Sequence, residues 1–536
     1  MNLNEQQLEI VNTQHPNILV IAGPGSGKTR TLIERIIRLQ KDGVPGRDMV
    51  AITFTNAGAH ELQERLIAAG HGIAFAGTLH SYMLRIIRQT NRTAGVLSDG
   101  DYEALLEEAL TGMKLRDSCS ALSAKVMEGP TYTNNNPLTL AAKMVWGRMH
   151  KLCLYSFDAI LAAGLRLLRD SPPPPRMHYF IDEVQDSAPI DFEIYRALGG
   201  TQFLVGDPDQ SIFGFRGAAV WEVGKMAKDP KWKTMLLTQN YRCPDNVCRA
   251  AQCLVEHNED RVEKATTGTG IAGDIVFVSS PNAISEIANL ALTIQKHPPE
   301  QCAVLVRTNA IRKTITEFLA SQGIPISAPA IHTNPIGWPM AMAVAAYVCN
   351  PQNPHFSDKS ASMVLSPGSY KELKDKALRE FCSMNQAWHN LSGCQSVDEV
   401  IPAILKIVPN LNPACRALIE HRISLAPAGT EPSELPTIIA KGEDLDEMTP
   451  GVSVLTMHAS KGREWPYVFL PACEQEIIPA GRDIEEERRL FYVAVTRTKS
   501  RLWVSHSCSR APDYGSKAPR PVKASQFIEE LLLAKS

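Results

Sequence analysis

Short apolar runs that stop at glycine or acidic residues, each followed by apolar positions at helical spacing, set the pattern of this chain. Residues 18–21 form such a run and end at a glycine-rich loop. Leu32, Ile33, Ile36, Ile37 and Leu39 then return with the period of a helix. The spacing predicts strand, loop, helix. Residues 50–54 predict a second strand, and 59–69 a helix after it. A strand over 179–181 ends at Asp182 and Glu183, and another over 202–205 ends at Gly206 and Asp207. Strands that end in polar loops and alternate with helices build a parallel sheet covered on both faces.

The series begins again after about residue 249. Strands are predicted over 275–278, 303–306, 452–456, 468–470 and 502–505, with a helix over 314–321. Two stretches break the alternation. Residues 89–175 are mostly helical, with a polar loop at 129–137, and close on Ser171-Pro172-Pro173-Pro174-Pro175, a run that cannot continue a helix. Residues 351–449 are helical and irregular, with proline-rich loops at 351–354 and 425–436. The expected fold class is α/β with two parallel-sheet lobes. The first takes 1–88 and 176–248, interrupted by a helical insertion at 89–175. The second takes 249–350 and 450–536, interrupted at 351–449. No internal sequence repeat accompanies this duplicated plan.

Composition narrows the partners. A chain of 536 residues, 44% hydrophobic and 21% charged, is an ordinary globular one with room for several domains. The formal net charge of −2 means that a nucleic-acid partner would meet a local groove and not a basic shell. No apolar run approaches the roughly 20 residues that span a bilayer. The polar start MNLNEQQLEI has no signal-peptide core. The expectation is a cytoplasmic protein with no membrane partner. Twelve cysteines occur without a C-x-x-C, which reads as reduced intracellular thiols. Cys243, Cys248 and Cys253 recur every five residues, a spacing that does not fit zinc sites. They read as small buried side chains near a helix start.

The loop AGPGSGKT at 22–29 carries the first candidate chemistry. Gly23, Gly25 and Gly27 let backbone N–H groups wrap phosphates. Lys28 neutralises the β- and γ-phosphates, and Thr29 offers a hydroxyl to Mg2+. The helix that starts there adds its dipole. Ala22 stands where the strict pattern has glycine. The bland alternative, a chance glycine turn, fits poorly with GKT set between a strand and a helix. Asp182 is suited to hold Mg2+, and Glu183 to orient an attacking water. Gln210 follows Gly206 by four residues and is suited to contact that water or the γ-phosphate. Arg242 and Arg497 are candidates to stabilise a phosphoryl transition state, although an arginine judged alone is more often a surface ion pair. Phe54, Phe215 and Tyr241 sit at strand ends, where bases can stack without sequence preference; a lone Phe is as often core. Lys461 and Arg463 lie in the loop HASKGREW, which reads as a phosphate contact or as a plain solvated loop.

In this order the motifs resemble the UvrD/Rep/PcrA-type helicases of superfamily 1. The resemblance runs through LNEQQ at 3–7, the phosphate loop, AITFTN at 51–56, GTLHS at 77–81 and DEVQD at 182–186. It continues through VGDPDQSIFGFRGA at 205–218, NYRC at 240–243, RTN at 307–309, LTMHASKGREW at 455–465 and EERRLFYVAVTRT at 486–498. It implies two RecA-like lobes of the P-loop NTPase type, ATP and Mg2+ as cofactors, and 3′ to 5′ movement on single-stranded DNA and tailed duplex DNA. By position, it implies that Ala22, Gly23, Pro24, Gly25, Ser26, Gly27, Lys28, Thr29 and Arg30 line the nucleotide. Gln7 would read adenine, Tyr241 would stack on it and Glu464 would meet the ribose. Arg242 and Arg497 would reach the γ-phosphate from either side of the lobe cleft. Phe54, Asn56, His80, Phe215 and Asn309 would touch the strand, with Arg216 and His458 coupling the two sites. Residues 514–515 fall where the family places a duplex-splitting hairpin, and 525–531 resemble the terminal segment that follows it.

The departures are Ala57 where lysine is usual, Phe215 where tryptophan is frequent, and a hairpin region broken by Pro512, Pro519 and Pro521. The second insertion is also short for the family. These point to a compact member. The alternative reading is a protein-stripping translocase, or a DNA-stimulated ATPase subunit with a protein partner in a larger repair, phage or defence complex.

Overall fold

The computed structural model describes residues 3–91, 94–97, 99–129, 135–259, 261–327, 396–407, 413–424, 449–481, 483–511 and 519–533, with 344, 345, 411 and 435. The first lobe opens with α1 (Glu5–Asn12), started by a reciprocal cap between Asn4 and Gln7. β1 (Asn17–Ala22) leads through the glycine loop into α2 (Lys28–Lys41). β2 (Met49–Thr53), α3 (Asn56–Ala68), β3 (Phe75–Thr78) and α4 (Leu79–Thr90) follow. The hydroxyls of Thr55 and Thr78 cap α3 and α4. The chain then leaves the sheet for β4 (Gly95–Val96), α5 (Asp99–Gly112), α6 (Cys119–Met127), α7 (Pro137–Leu152), β5 (Leu154–Tyr155) and α8 (Phe157–Asp170). It returns through β6 (His178–Ile181), α9 (Pro189–Leu198), β7 (Thr201–Gly206), α10 (Val220–Lys228) and β8 (Lys233–Leu237).

These strands form one sheet in the order β3-β2-β6-β7-β1-β8, with every pairing parallel. All the loops that follow the strands therefore leave the same edge. The central strands are buried along almost their whole length, which explains continuous apolar runs without alternation. Successive side chains still face opposite ways. Leu19, Ile21, Val50, Ile52 and Leu204 enter one core. Ile18, Val20, Ala51, Phe203 and Val205 enter the other. The helical insertion is not a free-standing unit, because Leu106, Val145, Met149 and Leu161 share the first of these cores with the sheet.

The second lobe begins with α11 (Asp245–Val255) and continues through β9 (Asp274–Ser280), α12 (Ala283–Ile294), β10 (Cys302–Val306) and α13 (Asn309–Ser321). Of the second insertion, α14 (Val400–Ile407) and α15 (Pro413–Ser424) are described. β11 (Ser453–Thr456), β12 (Trp465–Leu470), α16 (Ile484–Val495) and β13 (Thr498–Ser507) complete the lobe. β14 (Ser509–Arg510), β15 (Arg520–Pro521) and α17 (Gln526–Leu532) follow. The sheet order is β11-β10-β12-β13-β9, again with parallel pairing throughout.

Two differences from the pattern reading have physical causes. The expected lobe boundary at 248/249 falls inside α11, whose Val247, Cys248, Ala251 and Leu254 pack with β10, β12, β13 and α16 in the second core. Cys243 and Cys248 are buried there, at the start of α11. β3 and β8 are additional strands. β3 has only four residues, FAGT, and β8 is an edge strand with Leu236 exposed, so neither presents a long apolar run. The hairpin expected around 514–515 lies outside the described residues, as does most of the stretch 351–449. Among the described residues no helix is long and apolar enough to cross a membrane.

Candidate nucleotide and nucleic-acid site

β1 delivers Ala22 fully buried to the sheet edge, and residues 23–27 turn back over it before Lys28, Thr29 and Arg30 form the first turn of α2. The turn is braced internally by Ser26 Oγ donating to the Gly23 carbonyl at 2.8 Å. Gly25 has φ +60°, and a Cβ there would lie 2.6 Å from Arg242 Cβ and 2.7 Å from Asn240 Oδ1. Gly27, Gly23 and the buried Pro24 complete the loop. Gln7, expected to read a base, is buried and donates from Nε2 to the Ser26 carbonyl at 3.1 Å, so its amide braces the phosphate loop. Gln6, which the sequence did not single out, docks α1 on Thr238 with both ends of its amide.

The acidic pair sits at the end of β6. Thr29 Oγ1 donates to Asp182 Oδ2 at 3.1 Å, and Glu183 N donates to Asp182 Oδ1 at 2.9 Å. Glu183 has φ 54°, a left-handed conformation that a non-glycine residue holds only when its surroundings demand it. Gln185 does so: its Nε2 donates to Glu183, and its Oε1 accepts from Asp207 N at 2.9 Å. Burial pushes both carboxyls up. For Glu183, Lys28, Lys461, the Gln185 hydrogen bond and Arg497 outweigh burial and hold it at about 2. For Asp182, burial and the Glu183 charge prevail over Lys28 and raise it to about 7. The negative charge thus resides on Glu183 rather than on Asp182. A hydroxyl and a carboxylate in contact are hard oxygen donors of the kind Mg2+ takes.

Several contacts cross between the lobes. Gln210, in the turn after β7, donates from Nε2 to Asp207 and accepts at Oε1 from Arg497 Nη2 at 3.0 Å. Arg497 is buried and also donates to the carbonyls of Val493 and Arg463. Burial and the nearby Arg242 lower it to about 9, so it stays charged at neutral pH. Arg242 pairs with Glu464 and donates to the Thr496 carbonyl at 3.3 Å. Glu464 is gripped from its other side by Lys499, a residue the motifs did not flag. Lys461 does not face an open groove. It pairs with the fully enclosed Asp186 and donates to the Gln210 carbonyl at 2.9 Å. The cause is Asp186, a buried carboxylate that burial raises to about 6 and the Lys461 charge pulls down. Between the lobes remains a cleft of about 570 Å3. Gly25 and Gly27 line it from the first lobe, Tyr241, Arg242, Thr269 and Ile271 from the connecting segments, and Glu464 and Lys499 from the second. That size suits a nucleotide.

An aromatic cluster lies beside this cleft. Phe54, at the end of β2, stacks on Phe213 at 5.2 Å and 16°. Phe215, 66% exposed, meets Phe213 edge-on at 6.0 Å and the His458 ring at 5.7 Å. The Arg216 guanidinium lies over both rings, 5.3 Å from Phe213 and 5.6 Å from Phe215. Lys461 Nζ is 5.1 Å from the Phe213 ring, so one ammonium touches Asp186 and Gln210 of the first lobe and the cluster as well. Burial and the Arg307 charge lower His458 to about 4, which leaves it neutral. Asn56 opens α3 two residues after Phe54. His80 goes elsewhere and stacks on Phe157 of α8 at 3.6 Å. Asn309 opens α13 and accepts from Arg312 Nε at 3.1 Å. Phe213 was missed in the sequence, although its place two residues before Phe215 in SIFGFRG marks it as a companion on the same turn.

Residues 3–231 match the UvrD/REP helicase N-terminal domain, and residues 235–329 and 430–509 match the UvrD-like helicase C-terminal domain. The chain belongs to the UvrD-like helicase family. Among curated relatives, it is 26% identical to DNA helicase II of Salmonella typhimurium, an alignment covering 99% of this chain and 87% of that one. It is 26% identical to ATP-dependent DNA helicase PcrA of Leuconostoc citreum, covering 99% and 84%. DNA helicase II of Escherichia coli gives 26%, 99% and 87%. The C-terminal match of this helicase is interrupted between 329 and 430, a gap overlapping the expected insertion at 351–449. The first lobe of the helicase brings Gln210, in the turn after β7, to the contact, and the second brings Glu464 and Arg497 from the segments just before β12 and β13.

Proposed function

We propose that this helicase binds Mg-ATP between its lobes and couples hydrolysis to 3′ to 5′ movement along single-stranded DNA, separating the strands of a tailed duplex. The protein is an ATP-dependent DNA helicase of the UvrD type; the polarity, the metal and the residue roles are our reading. The observation that carries it is the Lys461 ammonium, in contact with Asp186 and Gln210 on the nucleotide side and with Phe213 on the aromatic side.

In this mechanism the glycine loop and Lys28 hold the phosphates, and Thr29 and Asp182 hold Mg2+, which supplies charge neutralisation on the phosphate oxygens. Tyr241 offers a half-exposed ring to the base. Glu183 stays ionised and orients the attacking water. Arg242 and Arg497 are fixed guanidinium groups for the charge that spreads in the transition state. Because Arg497, Glu464 and Lys461 belong to one lobe and their partners to the rest, filling the cleft draws the lobes together. Hydrolysis removes that attraction and lets them part. Phe54 and Phe215 stack on bases of the strand, and the lobes alternate in holding it.

Strand displacement on duplexes with a 3′ or a 5′ single-stranded tail, with ATP turnover followed in the same tubes, tests this. Displacement from the 3′ tail alone is expected. DNA-stimulated turnover without displacement from either tail would replace the reading with a protein-stripping translocase or a subunit that awaits a partner. Lys28→Ala is expected to abolish turnover, and wild-type turnover in that variant would remove the nucleotide site itself.

A further inference from the structure

The segment joining α11 to β9 contains two cations that belong to none of the motifs above. Lys264 has its side chain wholly enclosed, with Nζ 2.6 Å from Asp207 Oδ1 and also paired with Asp209. Arg261 pairs with Asp209 at 3.2 Å. An enclosed ammonium is costly unless matched, and the two carboxylates after β7 match it. From there a chain of hydrogen bonds runs to Arg497. Asp207 Oδ2 accepts from Gln210 Nε2, and Gln210 Oε1 accepts from Arg497. Lysine can only donate and an ionised aspartate can only accept, so the amide of Gln210 has one permitted orientation. Remove the ammonium, and the buried Asp207 carboxylate loses the cation that matches it, so the acceptor that anchors the Gln210 NH2 is no longer held in place. The same segment reaches the nucleotide cleft: Asn240 N donates to the Thr267 carbonyl at 2.8 Å, and Thr269 and Ile271 line the cavity.

We propose that Lys264 is a positioning residue for ATP hydrolysis: it holds Asp207 as an acceptor and thereby fixes the Gln210 amide with its oxygen toward Arg497. The proposal rests on the reading of Gln210 and Arg497 as parts of the ATPase site.

Steady-state ATP turnover at saturating single-stranded DNA, on the full chain, tests it with four variants. Lys264→Met is expected to lower kcat by about tenfold or more while KM for ATP stays within about threefold, since only the transition-state arrangement is lost. Gln210→Ala is expected to lower kcat, and the double variant Lys264→Met/Gln210→Ala to match Gln210→Ala within about twofold, because Lys264 acts through that residue. Arg261→Gln, which loses a cation from Asp209 but not from Asp207, is expected to keep kcat within about twofold. Unchanged kcat in Lys264→Met beside a lowered kcat in Gln210→Ala overturns the proposal, as do fully additive losses in the double variant. Unchanged kcat in Gln210→Ala overturns the reading beneath it. If Lys264→Met does not fold, Lys264→Gln, which keeps a neutral donor for Asp207, is put through the same comparison.

Discussion

Gly25→Ala places a methyl group where the phosphate loop rests on residues 240–242. The new Cβ would lie 2.6 Å from Arg242 Cβ, an atom fixed to the backbone, and 2.7 Å from Asn240 Oδ1. Asn240 Oδ1 is itself engaged, accepting from the N–H groups of Arg242 at 2.6 Å and Cys243 at 2.9 Å. The Gly25 carbonyl accepts from Tyr241 N at 2.9 Å, so the loop cannot slide away without breaking that bond as well. The left-handed φ costs about 1–2 kcal/mol for an L-residue. Overpacking of this kind costs about 1–3 kcal/mol, and each hydrogen bond loosened about 1 kcal/mol. These are partly alternative ways of yielding, so the working figure is about 3 kcal/mol, or roughly a hundredfold in nucleotide affinity.

Gly43→Ala is the control. Gly43 also has a positive φ, +95°, but its Cβ would meet nothing within 4 Å. It should carry only the backbone strain, about 1–2 kcal/mol, and leave nucleotide affinity alone. Titration with a fluorescent ATP analogue, beside thermal unfolding of both variants, separates the two terms. Gly25→Ala binding ATP within about threefold of wild type would refute the argument, because the docked loop would then not survive into the nucleotide-bound state.

Three further outcomes follow from other contacts. Phe215→Ala should weaken single-stranded DNA binding by the about 1–3 kcal/mol that a stacked base contributes and leave melting unchanged, whereas Phe213→Ala should lower both, as anisotropy titrations and thermal unfolding would report. Lys461→Met strands the buried Asp186 carboxylate, so melting should fall by the equivalent of about 3–5 kcal/mol and DNA stimulation of turnover should fall further than basal turnover; a preserved stimulation ratio would exclude the coupling role. His458 has a folded value of about 4 against an ordinary 6.5, so the unfolded chain takes up its proton first and stability declines as pH falls from 6.5 toward 4. His458→Phe should therefore lose less melting temperature than wild type between pH 7 and pH 5, and equal losses would show that Arg307, Arg216 and burial do not keep the ring neutral.

The chain's own periodicity carried the lobes and most of the loops of the site. Central parallel strands are buried on both faces, so β1, β2, β6 and β7 announce themselves as apolar runs that end where the polar loops begin. The phosphate loop, the Asp182–Glu183 pair and Gln210 were legible for the same reason, since each follows such a run directly. Edge and short strands were not legible: β8 exposes Leu236, and β3 has four residues. Nor was the membership of α11, because an amphipathic helix shows that it has a buried face without showing which core receives it.

Sequence by itself thus determined which residues stand in the loops at the ends of the strands, because local hydrophobic pattern and loop chemistry are written in consecutive positions. It did not determine which of them meet. Lys461 on Asp186, Lys499 on Glu464 and Lys264 between Asp207 and Asp209 join positions 35 to 275 residues apart. Those pairings were decided by the tertiary structure. Closing two lobes over one cleft buries carboxylates, and a buried charge must take whichever cation the packing brings within reach.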